Sequence, residues 1–530
     1  MAQGKSKSIP LWREMRVSYL PPLMVYLAAG VSGLTAIVGT FFVKDSLDLS
    51  AAFIASLGFW AGLPWALKIP IGHLVDLFWR YKSGFVYLGA LLLAASLLIM
   101  VGLIRAPAAM RDVLPLGTWF VLSTLLAPVG YVLQDAVADA MTVEAIPRVD
   151  DNGLPLSAEA RKRMNTTMQT LGRVAIIGGG VAVSLVNVIL FDGIEQLPAS
   201  AKADIYARIY LMALVIPLIS VAGVALAAWL RHRSPATLAT GPAAEPTDEE
   251  APTQASAWIL GGGAVFVALS ILTGLSPLTY REEIVFGGSF AIVGFLMIRL
   301  MRELEPDVRA TLLGTALVIF VFRALPGPGP GATWWQIDEL GFDESFLSRL
   351  SLIASLLTML GLFVFRRMMA ERSITYVVGL LTVAGFVLSL PSVGLYYGLH
   401  EWTARHTGGV VDARFIALVN TAVESPLGQV SMVPMLAWIA NSAPAHLKAT
   451  FFAVMASFTN LALSASQLGT KYLNQIFEVR RAVRDPVTQA VTSTADYTEL
   501  GPLLIVVTVA SLLLPFAAIT ITRLMRLRSD

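Results

Sequence analysis

Gln134-Asp135-Ala136-Val137-Ala138-Asp139-Ala140-Met141-Thr142-Val143-Glu144 closes an apolar run that begins near Leu116. Asp135 and Asp139 are separated by a little over one helical turn and so project from one face. Glu144, five residues on, falls where the chain turns polar. A carboxylate in a lipid-spanning helix costs on the order of 3 kcal/mol at the bilayer centre. A helix that keeps two of them needs a cavity, a partner cation or a proton. The stretch therefore reads as part of a substrate or proton pathway through a helical membrane protein.

Composition agrees. Of 530 residues, 56% are hydrophobic and 14% charged, with a mean hydropathy of +0.70. Soluble domains carry about a quarter charged residues, so this balance indicates a polytopic membrane protein with lipid as its surroundings. A net charge of +2 and the lack of a dense basic tract give no reason to expect nucleic acid. There are no cysteines, which excludes disulfides, thiol catalysis and thiolate metal sites. His73, His232, His400, His406 and His446 form no metal-ligand spacing. No nucleophile–base constellation or phosphate-binding loop is present either, so neither an enzyme nor a cofactor is expected. The first apolar run, Leu20 to Val43, is too long for a signal-peptide core and reads as a retained first span.

Apolar segments recur at about 20–43, 52–76, 84–104, 115–143, 166–191 and 207–230. Residues 231–256 break the pattern with Arg231-His232-Arg233, a Pro/Ala/Thr stretch and Asp248-Glu249-Glu250, the composition of a solvated loop. Segments at 257–275 and 284–302 come next, and six more follow at about 308–325, 346–366, 374–397, 413–440, 448–475 and 501–523. The expected fold is all-α with fourteen transmembrane helices. A tail (1–18) precedes a six-helix bundle (19–230), then the loop (231–256), two extra helices (257–305) and a second six-helix bundle (306–530). Lys and Arg concentrate in the loops on the side of the N-terminus, which places both termini in the cytoplasm. Repeated halves of this kind put a transporter's binding site between them near the midplane.

Gly72-x-x-x-Asp76-x-x-x-Arg80-x-Lys82, after the second span, resembles the loop signature of the major facilitator superfamily. There the Gly permits close helix contact while Asp and Arg hold the cytoplasmic ends of the spans together, a gating motif; the plainer reading is a basic turn. The equivalent place in the second half, Gly361 to Arg367, has the Gly and the basic pair but no Asp. Three further stretches narrow the resemblance. They are Leu63-Pro64-Trp65-Ala66-Leu67-Lys68-Ile69-Pro70-Ile71-Gly72, the Asp135/Asp139/Glu144 stretch, and Glu424-Ser425-Pro426-Leu427-Gly428-Gln429-Val430-Ser431-Met432-Val433-Pro434. The last is followed by Ala449-Thr450-Phe451-Phe452-Ala453 and Asn460. Together they resemble the folate–biopterin transporter family of the major facilitator superfamily. The departures are Ile69, where that family favours Pro, and the two extra helices, where twelve spans are usual. The resemblance implies the major facilitator fold and a secondary active transporter working by alternating access. It implies a folate- or pterin-like organic anion as substrate, and Lys68 as part of the transport cavity.

Lys68 lies inside an apolar span and calls for a partner, most simply Asp135 or Asp139; otherwise it snorkels to the interface. The two aspartates can share a proton, or form a static ion pair with Lys68 or Arg173. Glu144 reads as an end anchor near Arg148. Arg173, with Gly172 before it and Gly178-Gly179-Gly180 after, either clamps an anionic substrate or pairs with Asp139. Arg323, ahead of Pro326-Gly327-Pro328-Gly329-Pro330, reads as a snorkelling residue at the outer face. Beside Glu424, Pro426 frees backbone carbonyls, and Asn420, Ser425 and Gln429 make that face polar; inter-helix hydrogen bonding is the alternative. Trp60, Trp65, Tyr131 and Phe322 could stack on a flat heteroaromatic ring, though such residues more often pack or form an interface belt. The expected protein is a proton-coupled symporter of the plasma (inner) membrane, acting as a monomer. The rivals are a permease for another amphipathic organic anion and a non-transporting assembly factor with 257–302 as its docking surface.

Overall fold

The computed structural model of the chain describes residues 15–47, 49–66, 68–78, 81–146, 156–233, 257–302, 304–365, 368–369, 372–428, 430, 448–484, 491–525 and 527. Each of the fourteen apolar segments is helical in its described part. The first is a broken rod of α1 (Leu20–Gly30), a 3-10 segment (Val31–Thr35) and α2 (Ala36–Ser46). Pro21 and Pro22 sit in the first turn of α1, where a missing N–H is no loss. The second segment is described as α3 (Ala51–Ala66) and α4 (Lys68–Leu77). Then come α5 (Lys82–Arg105), the short α6 (Pro107–Val113), α7 (Leu116–Glu144) and α8 (Ala158–Leu190). The sixth segment is α9 (Ala199–Ala213) with α10 (Val215–Arg233).

The inserted pair is α11 (Ala257–Gly274) and α12 (Arg281–Met301). It is followed by α13 (Pro306–Arg323), the short α14 (Pro330–Asp338), α15 (Glu344–Val364) and α16 (Ile374–Tyr396). The short α17 (Leu399–His406), α18 (Ala413–Glu424), α19 (Lys448–Ile476) and α20 (Leu500–Leu524) complete the chain. Asp343, Ser373 and Asp412 cap α15, α16 and α18 by accepting from backbone N–H groups three residues on. Among the described residues, eight candidate spans are each long and apolar enough to cross a membrane; α3 and α11 contribute shorter apolar helices. Among the described residues, the departure from helix is an antiparallel hairpin between α19 and α20, β1 (Val483–Arg484) with β2 (Val491–Ser493).

Successive spans reverse direction. The face that holds the start of α1 and the end of α20 is called here the near face, and the opposite one, with Ser46 and Leu190, the far face. Within the first helix set (α1–α10) two crossings bring backbones together. A Cβ on Gly89 would stand 2.6 Å from the Gly130 carbonyl oxygen, so α5 and α7 touch glycine to glycine. A Cβ on Gly179 would stand 2.8 Å from the Gly30 carbonyl carbon, which seats α8 on α1; Gly178 has no neighbour within 4 Å among the described residues. The core of this set gathers Phe41, Phe191, Ile209 and Tyr210.

Between the first set and the second (α13–α20), α3 lies along α19, with a Cβ on Gly62 only 3.3 Å from Ser464 Oγ. The inserted pair covers this seam. Phe266 of α11 and Val285 of α12 share one buried cluster with Phe59, Leu63 and Ala66 of α3 and Leu461 of α19. Further along, Val293, Leu296 and Met301 of α12 pack into the second set against Leu312, Ile319, Met455 and Phe458.

Among the described residues nothing lies within 4 Å of a Cβ built on Gly72. Arg323 donates to the Thr459 carbonyl oxygen at 3.1 Å, an internal tie from α13 to α19 rather than a side chain directed at the lipid interface. The Pro-Gly run after it is equally anchored. Gly327 N–H donates to Thr470 Oγ1 (2.9 Å), and Ser466 Oγ donates to the Leu325 carbonyl (2.6 Å). Asn474 Nδ2 donates to the Pro328 carbonyl at 3.3 Å. Gly329 adopts φ +76° against Asn474, a conformation and a space that a side chain would not accept.

Candidate functional site

Lys68 lies in the second span at the head of the described α4, and α7 passes beside it. Lys68 Nζ reaches Asp135 Oδ2 at 2.6 Å and Asp139 Oδ2 at 2.7 Å. The one-turn spacing read from the sequence is what lets one ammonium hold both carboxylates. Tyr26 of α1 donates its hydroxyl to Asp139 Oδ1 at 2.6 Å. The cluster thus draws on three spans. The Asp139 side chain is 43% exposed and that of Asp135 20%, so a proton or a solute meets Asp139 first.

Arg173 sits in α8 near enough to lend positive charge to this site, since its field acts on both Asp135 and Tyr26. Among the described residues it forms no ion pair with either aspartate, so the expected Asp139–Arg173 pair is absent in this conformer. Gly172 beside it makes room for the Tyr26 ring, 3.0 Å from a Cβ there. With both aspartates ionised, Lys68, Arg173, Asp135 and Asp139 sum to zero. Losing one negative charge leaves a net positive site.

Trp65 contributes on two levels. Its carbonyl accepts from Asn460 Nδ2 of α19 at 3.2 Å, which links the motif of the second span to that of the thirteenth. Its ring lines a cavity inside the first helix set that Tyr131 also lines. Trp60 and Phe322 do not join them. Trp60 Nε1 donates to Glu282 Oε1 at 3.2 Å and its ring lies against Gly274, while Phe322 packs on the core of the second set.

Glu424 ends α18 and the chain continues as a 3-10 turn, Ser425–Leu427, as Pro426 requires. The Ser425 carbonyl freed there accepts from Thr358 Oγ1 at 2.9 Å, and Pro426 lies so close to Gly361 that a Cβ would not fit. Glu424 itself is exposed, with Asn420 Nδ2 3.5 Å from its Oε2, and is not brought against Lys68. Gln429, Arg80 and Arg148 lie outside the described residues, as do the side chains of Asp76 and Glu144. Lys82 opens α5 and is buried.

Sequence reasoning missed Tyr26, because a tyrosine in an apolar span carries no cost that signals a partner. It also missed a second polar centre, where Ser56 Oγ donates to Glu282 Oε1 at 2.7 Å. Lys471 Nζ stands 2.9 Å from Glu283 Oε1 and 3.5 Å from Glu282 Oε2.

Residues 289–527 match the BT1 family. The chain is 22% identical over 456 residues to a protein from Synechocystis sp. named folate-biopterin transporter, over 86% of this chain and 73% of that one. Among solved structures, a POT family transporter in complex with a thioalcohol-conjugated peptide aligns at TM-score 0.59 and 14% identity, covering 96% of this chain and 95% of the other. The peptide transporter POT aligns at 0.57 and 15%, covering 98% and 95%. At such identities the structural likeness speaks for the fold. The resemblance read from the motifs is borne out, and the chain is a polytopic membrane protein with the major facilitator fold, a membrane transporter and not an enzyme.

Proposed function

We propose that this chain carries a folate- or pterin-like organic anion across the membrane by alternating access, in symport with protons. The observation that carries the reading is Lys68 shared between Asp135 and Asp139. One ammonium can answer two carboxylates or a substrate carboxylate, and a proton on Asp139 releases it from one protein partner. Loading a proton and loading an anion then favour one another by the same charge arithmetic. Arg173 adds the second positive charge, and Trp65 frames the site. Glu424 and Gln429 are the matching contribution from the second helix set, and Gly72, Asp76, Arg80 and Lys82 form the near-face gate. The named relative supports the substrate class. In this reading the two helix sets rock as units in the plasma (inner) membrane, with both termini cytoplasmic and the near face inside, and a monomer suffices.

The test is uptake of folate and pterins into proteoliposomes with and without an inward proton gradient. Wild type is expected to accumulate substrate and to respond to the gradient. Asp139→Asn should retain exchange but lose the response, and Lys68→Ala should lose uptake. Uptake unchanged in both variants removes the site assignment. Transport of another amphipathic anion in place of folates and pterins replaces the substrate class.

A further inference from the structure

We propose that the cavity inside the first helix set receives the flat heteroaromatic head of the substrate, while the charged cluster beside it holds the tail. The proposal rests on the transport reading and specifies where each part of the molecule goes. The cavity measures about 320 Å³. Ligand sites span about 300–1,000 Å³, so this one has room for a single ring system and not for a whole folate-sized anion.

Its walls fit such a ring. Trp65, Phe120, Tyr131 and Tyr210 offer aromatic faces, and no charged side chain lines it. Between the rings stand hydroxyls already tied to the walls: Ser32 hydrogen-bonds Tyr131, Thr35 hydrogen-bonds Tyr210, and Thr124 donates to the Phe120 carbonyl at 2.9 Å. Each oxygen keeps a lone pair for an amino group at the edge of a neutral ring, and its proton reaches an oxo group by turning from the present partner. Ser32 and Thr35 reach the cavity because the first span is 3-10 over Val31–Thr35 there. Trp65 reaches it from α3. An interrupted span beside a polar cavity is how membrane transporters place binding groups at depth.

Position joins the cavity to the charge cluster. Thr124, Tyr131, Asp135 and Asp139 follow one another along a single face of α7, with Tyr131 one turn before Asp135. Trp65 stands three residues before Lys68. A ring seated between Trp65 and Tyr131 therefore directs a carboxylate tail along the same face toward Lys68 and Asp139.

The experiment measures binding of three probes to the purified full-length chain by tryptophan-fluorescence quenching and calorimetry. The probes are folate, a pterin without a tail, and 4-aminobenzoylglutamate, a tail without the pteridine ring. Ala127→Leu fills the cavity from α7, and Tyr131→Phe removes one hydroxyl while keeping the ring. Ala127→Leu is expected to weaken folate and pterin by about tenfold or more and to leave the tail probe within about twofold. Lys68→Ala should show the reverse pattern, losing the tail probe and keeping the pterin. Tyr131→Phe should weaken folate and the pterin and leave the tail probe unchanged, and because it preserves shape it decides the matter if Ala127→Leu fails to fold. Pterin binding at wild-type strength in both cavity variants overturns the proposal, as does a wild type that binds only the tail probe; the cavity is then a packing void. A wild type that binds none of the three removes the transport reading, and this proposal with it.

Discussion

Lys68 is the residue at which stability and transport meet. A lone ammonium at this depth is costly, and two carboxylates within 2.7 Å compensate it. Removing one member of a buried charge pair leaves the other uncompensated, which costs about 3–5 kcal/mol. Lys68→Met is therefore expected to lower the thermal midpoint of the detergent-solubilised protein markedly. Most of the loss should return in Lys68→Met/Asp135→Asn, since the less exposed carboxylate is neutralised with its partner. Equal midpoints for the single and double variants would show that the pair contributes nothing to folding. These charges were legible because a carboxylate or an ammonium in an apolar run always demands an explanation. Tyr26 was not, although it donates to Asp139. Arg173 was legible as a charge but not as to its partner, since spacing along the chain does not reveal which way α8 turns it.

At the scale of the element, the apolar segments were legible as helices because each run is long enough for its hydropathy to show. The interruption at Val31–Thr35 was not, since 3-10 and α geometry share one composition. The inserted pair was legible as two helices without a purpose. Its position supplies one, because α12 is tied to both helix sets. Ser56 and Trp60 of α3 donate to Glu282, and Lys471 of α19 pairs with Glu282 and Glu283. Tyr472 donates its hydroxyl to Glu283. Burial pushes the Glu282 carboxyl up, but hydrogen bonds from Ser56, its own backbone N–H and Trp60, with the Lys471 charge, outweigh it and hold the group at about 2. A carboxylate depressed from 4.5 in the folded state adds stability above the unfolded value and loses it as pH falls through the folded one. The difference in thermal midpoint between wild type and Glu282→Gln should be full at neutral pH and shrink as pH drops from about 4.5 toward 2. A difference that stays constant over that window would mean the glutamate is not held by these partners.

Across the whole molecule, the far face is laced shut. Lys44 at the end of α2 meets Asp338 at the end of α14 at 2.5 Å, with the lysine side chain 9% exposed and the aspartate 22%. Arg481 Nη1 donates to the Val43 carbonyl at 2.6 Å. Lys202 stands 3.7 Å from Glu344, which also accepts the Tyr206 hydroxyl, and Ser184 and Ser351 share a hydrogen bond of 2.9 Å. Every one of these ties runs from the first helix set to the second. A half-buried pair such as Lys44–Asp338 is worth more than an exposed one, so the closed far face is a defined state and not a loose average. If substrate crosses by alternating access, these ties break once in each cycle. The absence of cysteine makes the consequence measurable, because Lys44→Cys/Asp338→Cys introduces the chain's first two thiols. A short bifunctional thiol reagent should join them and abolish uptake, and reduction should restore it. The single variants, treated with the same reagent, should keep transporting. Full uptake in a cross-linked protein would mean that the far face never opens at this point, and that substrate leaves by a path that does not part these two helices.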